Sequence, residues 1–452
     1  MEPDGDAGAD GMPGSAADAG TAAEAGQAVH WAGWRPPSHP GSREAPPRPL
    51  SATAPAAVEP TAVAFAQGGS TPPPEEPSMT HDRAAEPGAA GSPDAVEAAF
   101  LDAVQHRLLG FLAEQERVLA AVSPETEPLI AAIRDLSAGG KRLRALLLLW
   151  GWRAAGGGAQ DPRPVQAGAA IELFQSAALI HDDIIDHSDT RRGRPSVHHR
   201  FAATHRERGW SLEARDYGLM GGILAGDLCL SFSEALFAPL CADADPAAEP
   251  GRARKIFDLM RTEVMGGQYL DGLSEHLGLE EPEAALERAL RVIRYKAAKY
   301  TCEHPLLIGA SLAGADEALL TGLSEVGLPL GEAFQLRDDV LGVFGEPAVT
   351  GKPAGDDLRE GKRTVLVALA HERADAQRSR ELEAGLGDPR LTEDGVRRLR
   401  EILRDTGALA RTEELIRERE QLARRALDRL EVDSEVRAGL ERLSERALHR
   451  SS

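Results

Sequence analysis

The sequence predicts an all-α protein in which one large folded domain, residues 94–452, follows a disordered tail, residues 1–93. Three observations lead to this fold class. Alanine, leucine, glutamate and arginine dominate the 452 residues and aromatic residues make up only 4%, a balance that favours helix over strand. Apolar residues recur at helical spacing through most of the chain after the tail. No stretch shows a convincing alternation of period two, which a half-buried strand would require.

The tail is rich in alanine, glycine, proline and serine, and residues 1–94 carry thirteen acidic but only four basic side chains. A segment of this composition cannot bury enough apolar surface to offset the entropy lost on ordering, so we predict disorder. Met79 lies near its end, and a start codon there would remove most of the tail. Mass spectrometry of the native N terminus tests that hypothesis.

Composition also narrows the function classes. The formal net charge of -21 argues against nonspecific nucleic-acid binding and against electrostatic attraction to anionic membranes. The three cysteines have neither metal-site nor disulfide-framework spacing, as expected in a reducing compartment. The chain has no secretory signal and no uninterrupted run of eighteen apolar residues. We therefore expect a cytoplasmic protein without a spanning helix or stable membrane insertion.

The first helix is predicted to begin at Pro93, because Ser92 can cap it and proline is favoured in a first turn. Glycine-rich breaks at 138–140 and 156–158 separate the helices that follow. Helical rows of leucine continue through 380–450. Between the first helix and those rows, predicted helices cover roughly 126–137, 141–155, 163–187, 211–241, 250–277, 282–303, 304–313, 316–344 and 362–374.

The helix over 163–187 carries the first candidate site. Its apolar stripe continues at four-residue steps into Asp182 and Asp186, with Asp183 beside them. Unpaired buried carboxylates are costly, so a cation should meet them, and oxygen donors alone suit a hard ion such as Mg²⁺. Arginines follow directly in 191–194, which suggests a diphosphate held through its metal ions. A solvated helix end is the alternative interpretation of such an acidic cluster.

A second acidic cluster strengthens this interpretation. In the predicted helix over 316–344, Gln335, Asp338 and Gly342 advance by helical steps, and Asp339 is adjacent to Asp338. Two acidic patches on two amphipathic helices can face each other across one cavity. That pair indicates a metal site more strongly than either cluster does alone.

Two loops add candidate anion ligands. Two glycines precede Lys141 and Arg144, which lie one turn apart where backbone amides at a helix start favour an anion. The polar loop over 350–363 contains Lys352 and Lys362 and has the glycine content of a lid. A glycine-rich turn with solvated bases and a plain surface loop are the respective alternatives.

With these motifs assembled, residues 94–450 resemble the trans-prenyltransferase family of isoprenyl diphosphate synthases, most of all its geranylgeranyl diphosphate synthases. The resemblance is specific because the motifs occur in the family's order. They are GGKRLR at 139–144, DDIID at 182–186, RRGRPSVH at 191–198, GQYLD at 267–271, Lys296, FQLRDD at 334–339, and GK at 351–352 and 361–362.

The resemblance implies a helical bundle around a central cavity, usually a homodimer, that joins isopentenyl diphosphate to an allylic diphosphate (dimethylallyl, geranyl or farnesyl). It implies three Mg²⁺ ions bound by Asp182 and Asp186, with Asp338 opposite and Asp183 and Asp339 adjacent. Other implied ligands are Arg191, Lys296, Lys352 and Lys362 for the allylic diphosphate, Lys141, Arg144, Gln175 and Arg192 for isopentenyl diphosphate, and Gln335 near the reacting carbons.

Three positions depart from the family's pattern. Gly342 stands where a third aspartate of the second cluster is usual, Gln175 where a histidine is common, and Ala297 where threonine is common. Asp338 is the implied direct ligand, so we expect altered metal affinity rather than loss of activity. An amide at Gln175 can still donate a hydrogen bond.

Product length is predicted from the helix that ends at Asp182, along which the growing chain would extend. Ala177 and Ala178 lie one turn below that aspartate, and Phe174 lies two turns below. Small residues in the first turn should let the product pass the farnesyl length. The phenyl ring should then stop it near geranylgeranyl, unless neighbouring helices provide the floor.

Two rival functions share part of these features. A class I terpene cyclase has the same bundle and first motif, but normally carries an Asn/Ser/Glu metal motif in place of the second aspartate pair and lacks GGKR. A noncatalytic regulatory subunit of a prenyl diphosphate synthase would tolerate Gly342. It would not explain why the acidic, arginine and glycine-lysine motifs remain.

Overall fold

Helices make up nearly all of the structure, a computed structural model that describes residues 92–241, 251–277, 282–345 and 355–448. Within those ranges the only strands form one two-stranded hairpin, so the predicted all-α class is confirmed. The predicted disordered tail lies outside the described residues except for its last two positions. All described residues belong to one compact unit.

The elements are named here in chain order, with short 3₁₀ turns at Pro124–Thr126 and Ala238–Cys241. They are α1 (Pro93–Val122), α2 (Glu127–Ser137), α3 (Leu143–Ala154), α4 (Arg163–Ile185), β1 (Thr190–Arg191), β2 (Arg194–Pro195), α5 (Val197–Arg208), α6 (Ala214–Phe237), α7 (Arg252–His276), α8 (Pro282–Val292), a π-helix (Ile293–Glu303), α9 (His304–Leu312), α10 (Glu317–Phe344), α11 (Asp356–Glu360), α12 (Val365–Arg373), α13 (Ala376–Gly385), α14 (Glu393–Asp405), α15 (Ala408–Arg429) and α16 (Ser434–Leu448).

The predicted helices agree with these bounds to within a few residues. At the start of α1, the Ser92 hydroxyl accepts a hydrogen bond from the backbone amide of Ala95, as the capping argument predicts. Helix α5 was not predicted, because its buried face includes His198 and His205 rather than an apolar stripe alone. The short α11 was also missed, since it lies inside the loop predicted over 350–363.

The β1–β2 hairpin was not predicted from the sequence. Arg192 and Gly193 have φ angles of 54° and 70°, the left-handed pair that a two-residue type I′ turn requires. Each strand is two residues long, which is too short to produce an alternating pattern in the sequence.

The core is centred on α3 and α4. Nearly every residue of α3 after its first turn is buried, including Trp150 and Trp152. Its backbone touches that of α9, because a Cβ at Gly151 would lie 2.8 Å from the carbonyl carbon of Leu306. Helix α4 packs against α1, α3, α5 and α6, so it runs through the middle of the bundle.

Helix α6 bears on the expectation that the chain has no membrane-spanning helix. The segment Ala214–Leu240 is long and apolar enough to span a bilayer by length and composition, although Asp227 and Glu234 interrupt its apolar run. About 44% of its most apolar window is buried in the structure. Its glycines pack against α4 and α5, as in the core helix of a folded domain. Its opposite face leaves Met220 and Ile223 nearly half exposed.

Cys229 and Cys302 are both buried. Burial raises the pKa of the Cys229 thiol. The side chain of Cys241 lies outside the described part of the structure.

A buried carboxylate joins the two ends of the folded domain. Glu97 on α1 is 3% exposed and accepts a hydrogen bond from the Trp150 indole at 3.0 Å. Arg442 and Arg446 on α16 approach the same carboxylate at 3.4 and 2.7 Å. Glu97 therefore connects α1, α3 and α16 by charge-assisted hydrogen bonds.

We expect Glu97→Gln to lower the free energy of unfolding by about 1–3 kcal/mol, because it removes the charge while the arginines remain. Urea denaturation of the full chain measures the change. Glu114→Gln, at an exposed position of the same helix, is the matched control and should leave the midpoint unchanged. Equal midpoints for Glu97→Gln and wild type would show that these ion pairs contribute nothing to stability.

Candidate active site

The first acidic motif lies at the C-terminal end of α4, where the helix closes with a hydrogen bond from the amide of Asp186 to the carbonyl of Asp182. The Asp182 carboxylate lies between two cations, 3.2 Å from the Lys296 Nζ and 3.3 Å from the Arg191 guanidinium. Burial opposes its ionisation, but the surrounding cations outweigh that effect and hold the pKa of Asp182 well below its usual value. Asp182 is therefore an anion within the fold.

Asp183 binds the guanidinium of Arg191. The Nε and Nη2 atoms of Arg191 both donate to Oδ1 of Asp183, at 2.7 and 2.5 Å. The Asp183 side chain is only 2% exposed. The β1–β2 hairpin makes this contact possible, because it turns the chain back over the end of α4. Asp183 is placed to orient an arginine, and its predicted role as a metal ligand stays a prediction.

Lys296 reaches Asp182 from the π-helix, which packs tightly against α7. A Cβ at Gly267 would lie 2.8 Å from the Cα of Lys296, so only glycine permits this approach. One turn later on α7, Asp271 ion-pairs with Lys296 at 2.6 Å. The two aspartates outweigh the effect of burial and raise the pKa of Lys296 above its usual value. Sequence analysis noted the motif GQYLD but did not single out Asp271 as a site residue.

Lys362 approaches the same motif from the segment after α11. Its Nζ lies 3.1 Å from Asp186 and 3.0 Å from Glu360. Glu360 also accepts a hydrogen bond from the Ser188 hydroxyl at 3.2 Å, which ties α11 to the loop after α4. Lys352, the other lysine predicted for this loop, lies outside the described residues.

Three cations, Arg191, Lys296 and Lys362, thus alternate with the carboxylates at the end of α4. Burial raises the pKa of Asp186, an effect that Lys362 opposes and Asp182 reinforces. Glu275, one turn after Asp271, was not predicted as a site residue, yet burial and the nearby acids raise its pKa to about 7.

The second acidic motif lies near the end of α10. Asp339 is 7% exposed and accepts a hydrogen bond from the Gln335 amide at 2.8 Å, while Asp338 is half-buried. Burial raises the pKa of Asp339 to about 8, with contributions from Asp338 and from Asp271 of α7. Asp271 therefore acts on both motifs, through Lys296 on one side and Asp339 on the other.

The guanidinium of Arg192 packs against the glycine turn before α3. A Cβ at Gly140 would lie 2.7 Å from Nη2 of Arg192, and the Nη1 atom donates to the carbonyl of Leu136 at 2.9 Å. Burial lowers the pKa of Arg192, and Glu172 on α4 opposes this change. The two glycines are thus explained by a close approach of an arginine, which was not predicted.

Arg144, in the first turn of α3, is the next of the predicted cations near this turn. Its guanidinium donates to Thr301 at 2.8 Å and lies 4.2 Å from the centre of the Tyr300 ring. Its Nε is buried and has no hydrogen-bond partner among the residues that the structure describes. Lys141, the third predicted member, is exposed, and Glu172 supplies the countercharge to the arginines.

The predicted floor residues lie below Asp182 on α4. Phe174 is 2% exposed and packs edge-on against Tyr300 of the π-helix, with ring centres 5.6 Å apart. The Tyr300 hydroxyl donates to the side-chain carbonyl of Gln175, which fixes that amide. Ala177 is fully buried, and Ala178 is half-buried. Two aromatic rings, one from each helix, therefore pack together one turn below the alanines. The role of Phe174 as the floor stays a prediction.

The acidic residues have the donor chemistry that Mg²⁺ needs. No group of three or more His, Cys, Asp or Glu side chains encloses a common point in the described ranges. Mg²⁺ does not require such a cage, because it usually keeps several waters and takes one or two carboxylates together with substrate phosphates. Asp182, Asp186 and Asp338 offer only oxygen, so these residues fit the ion.

Comparison with known proteins gives one consistent family. Residues 127–403 match the family model described as polyprenyl synthetase. A geranylfarnesyl diphosphate synthase from Aeropyrum pernix is 35% identical over 306 residues, which are 68% of this chain and 88% of the relative. A geranylgeranyl diphosphate synthase from Mycobacterium tuberculosis is 33% identical over 62% of this chain and 78% of the relative.

Solved structures agree with this family. A geranylgeranyl pyrophosphate synthase from Corynebacterium glutamicum, complexed with isoprenyl diphosphate and magnesium, is 39% identical with a TM-score of 0.72. The match covers 78% of this chain and 98% of that one. A polyprenyl synthase from Caulobacter crescentus, complexed with calcium and isoprenyl diphosphate, gives a TM-score of 0.63 at 29% identity, covering 81% and 100% of the two chains.

Proposed function

This chain belongs to the polyprenyl synthetase family of prenyltransferases, and we propose that it condenses isopentenyl diphosphate with an allylic diphosphate to form geranylgeranyl diphosphate. The observation that carries this proposal is the alternation of Arg191, Lys296 and Lys362 with the carboxylates at the end of α4. Such a cluster can exchange its internal ion pairs for a diphosphate and its metal ions. The charges of lysines and carboxylates are then balanced by new partners rather than left unpaired.

We assign three Mg²⁺ ions to Asp182 and Asp186 on α4 and Asp338 on α10, with Asp183 and Asp339 behind them. When bound, the ions would supply Lewis-acid stabilisation of the negative charge that develops on the leaving diphosphate. Lys296 and Arg191 bind the same diphosphate and are held in place beforehand by Asp271 and Asp183. Lys362 and Lys352 complete the allylic site in this proposal.

Isopentenyl diphosphate binds in the proposal to the cationic group formed by Lys141, Arg144 and Arg192, next to Gln175. The allylic C–O bond breaks and its electron pair leaves with the diphosphate. The double bond of isopentenyl diphosphate attacks the allylic carbon, and a proton is then lost to the departed diphosphate. Gln335 lies beside the reacting carbons, and no protein nucleophile is required.

We further propose a cytoplasmic homodimer. The exposed apolar side chains of α6, Met220, Ile223 and Leu224, give that helix a face that a second copy can cover. The net charge of -21 supports a function without nucleic acid or anionic membrane as partner.

The full chain with Mg²⁺, labelled isopentenyl diphosphate and each allylic primer should yield geranylgeranyl diphosphate, measured by chromatography of the dephosphorylated products. Asp182→Ala should reduce the rate by about a hundredfold or more, because it removes a carboxylate assigned to the Mg²⁺ ions that stabilise the leaving diphosphate. A cyclised hydrocarbon would instead indicate a terpene cyclase. Absence of product with every primer would contradict the proposal and favour the regulatory subunit.

Gly140→Ala should raise the KM for isopentenyl diphosphate several-fold and leave the KM for the allylic primer unchanged, because the added methyl group displaces the Arg192 guanidinium. Initial rates with each substrate varied in turn separate the two constants. Gly156→Ala is the control, because this glycine also has a positive φ, where alanine is strained, but has no atom within 4 Å. Equal rises in both constants would contradict the assignment of Arg192.

Phe174→Ala should lengthen the product by at least one isoprene unit, because it removes one of the two rings below the alanines. Ala178→Phe should shorten the product to farnesyl diphosphate, since it adds a ring one turn higher. Chain lengths are read from the dephosphorylated alcohols, and circular dichroism checks that both variants fold. An unchanged product from folded Phe174→Ala would exclude Phe174 as the floor.

A further inference from the structure

The second acidic motif has Gly342 where the resemblance leads one to expect a carboxylate. In the structure, the side chain of Asp357, from α11, lies at that place. Gly342 lies one turn after Asp338 on α10. A Cβ at Gly342 would overlap Oδ2 of Asp357 and would lie 2.5 Å from its Cγ and 2.9 Å from its Oδ1. The three atoms nearest to that Cβ therefore all belong to one carboxylate of α11.

Asp357 is held there by the fold of its segment. Helix α11 begins after Gly355, whose φ of 76° lets the chain turn sharply, and it packs against α10. The amide of Lys362 donates to the carbonyl of Asp357 at 3.0 Å, so the residues after α11 fold back over its first turn. Asp357 is thus positioned by backbone contacts on both sides.

The carboxylate of Asp357 also interacts electrostatically with residues at both acidic motifs. It raises the pKa of Asp339 on α10, and it raises the pKa of Lys362, which pairs with Asp186 of α4. Asp357 is half-buried, and its carboxylate lies against Gly342 of α10.

We propose that Asp357 supplies, from α11, the third carboxylate of the second acidic motif, and that position 342 must be glycine to leave room for it. The proposal rests on the proposed function, because it assigns Asp357 to the metal-binding face of the same site. The Gln335 amide donates a hydrogen bond to Asp339. In the proposal the carboxylates of Asp338 and Asp357 offer oxygen donors to a metal or to its waters.

The effect expected for Gly342→Ala differs from the usual effect of alanine at a glycine inside a helix. Replacing such a glycine by alanine ordinarily stabilises a helix, because glycine loses more conformational entropy on folding. At Gly342 the added methyl group would instead push the Asp357 carboxylate away. Gly342→Ala should therefore weaken metal binding without adding or removing any charge.

The test is calorimetric titration of the full chain with Mg²⁺ in the presence of inorganic diphosphate, which requires no turnover. Asp357→Asn and Gly342→Ala should each weaken Mg²⁺ binding by about tenfold, the scale typical of residues that support metal ligands. The double variant Gly342→Asp with Asp357→Gly returns the carboxylate to α10 and should restore most of the affinity. Gly110→Ala, in an open helical position, and Asp356→Asn, the adjacent acid on α11, are the controls and should bind as wild type does.

Thermal unfolding with and without Mg²⁺ and diphosphate gives a second measurement, since a bound ligand raises the melting temperature. Asp357→Asn changes almost no volume, so it tests the proposal even if Gly342→Ala fails to fold. Wild-type affinity in both single variants, together with lost binding in Asp182→Ala, would overturn the role of Asp357 and leave the proposed function intact. Failure of the wild-type chain to bind Mg²⁺ with diphosphate would overturn both.

Discussion

The structure depends on neutralising carboxylates that the bundle buries. Asp182 and Asp186 end a helix that runs through the core, so their charges cannot be left to water. Lys296 arrives from the π-helix and Lys362 from the segment after α11 to neutralise them. The ion pairs that neutralise these carboxylates also hold the cations where a diphosphate would need them. The same ion pairs therefore serve both the stability of the fold and the proposed chemistry.

Close helix contacts make that neutralisation possible. The π-helix is packed from both sides by backbones that approach at Gly267 of α7 and Gly331 of α10. Larger residues there would move Lys296 away from Asp182 and Asp271. Glycines that carry no chemical group are thus as necessary to the site as its charged residues. The same holds at Gly140, where the turn before α3 leaves space for Arg192.

Two of the three departures from the family's pattern, Gln175 and Gly342, have neighbours that only the fold brings close. Gln175 is fixed by the Tyr300 hydroxyl, so its amide is oriented although it is not a histidine. Gly342 is covered by Asp357 from a helix fifteen residues further along the chain. A substitution that looks like a loss in one motif can be compensated by a residue of another element, which a comparison of single motifs does not reveal.

The sequence by itself determined the all-α class, most helix bounds, the two acidic motifs and the cationic turn, because helical periodicity and ordered motifs are local properties. It failed at α5, whose buried face contains histidines, and at the β1–β2 hairpin, whose strands are too short for a period. Only the tertiary structure decided that Asp183 holds Arg191 and that Asp271 holds Lys296. Pairings of this kind depend on distances between helices, and helix spacing is set by packing across the whole core rather than by any one segment.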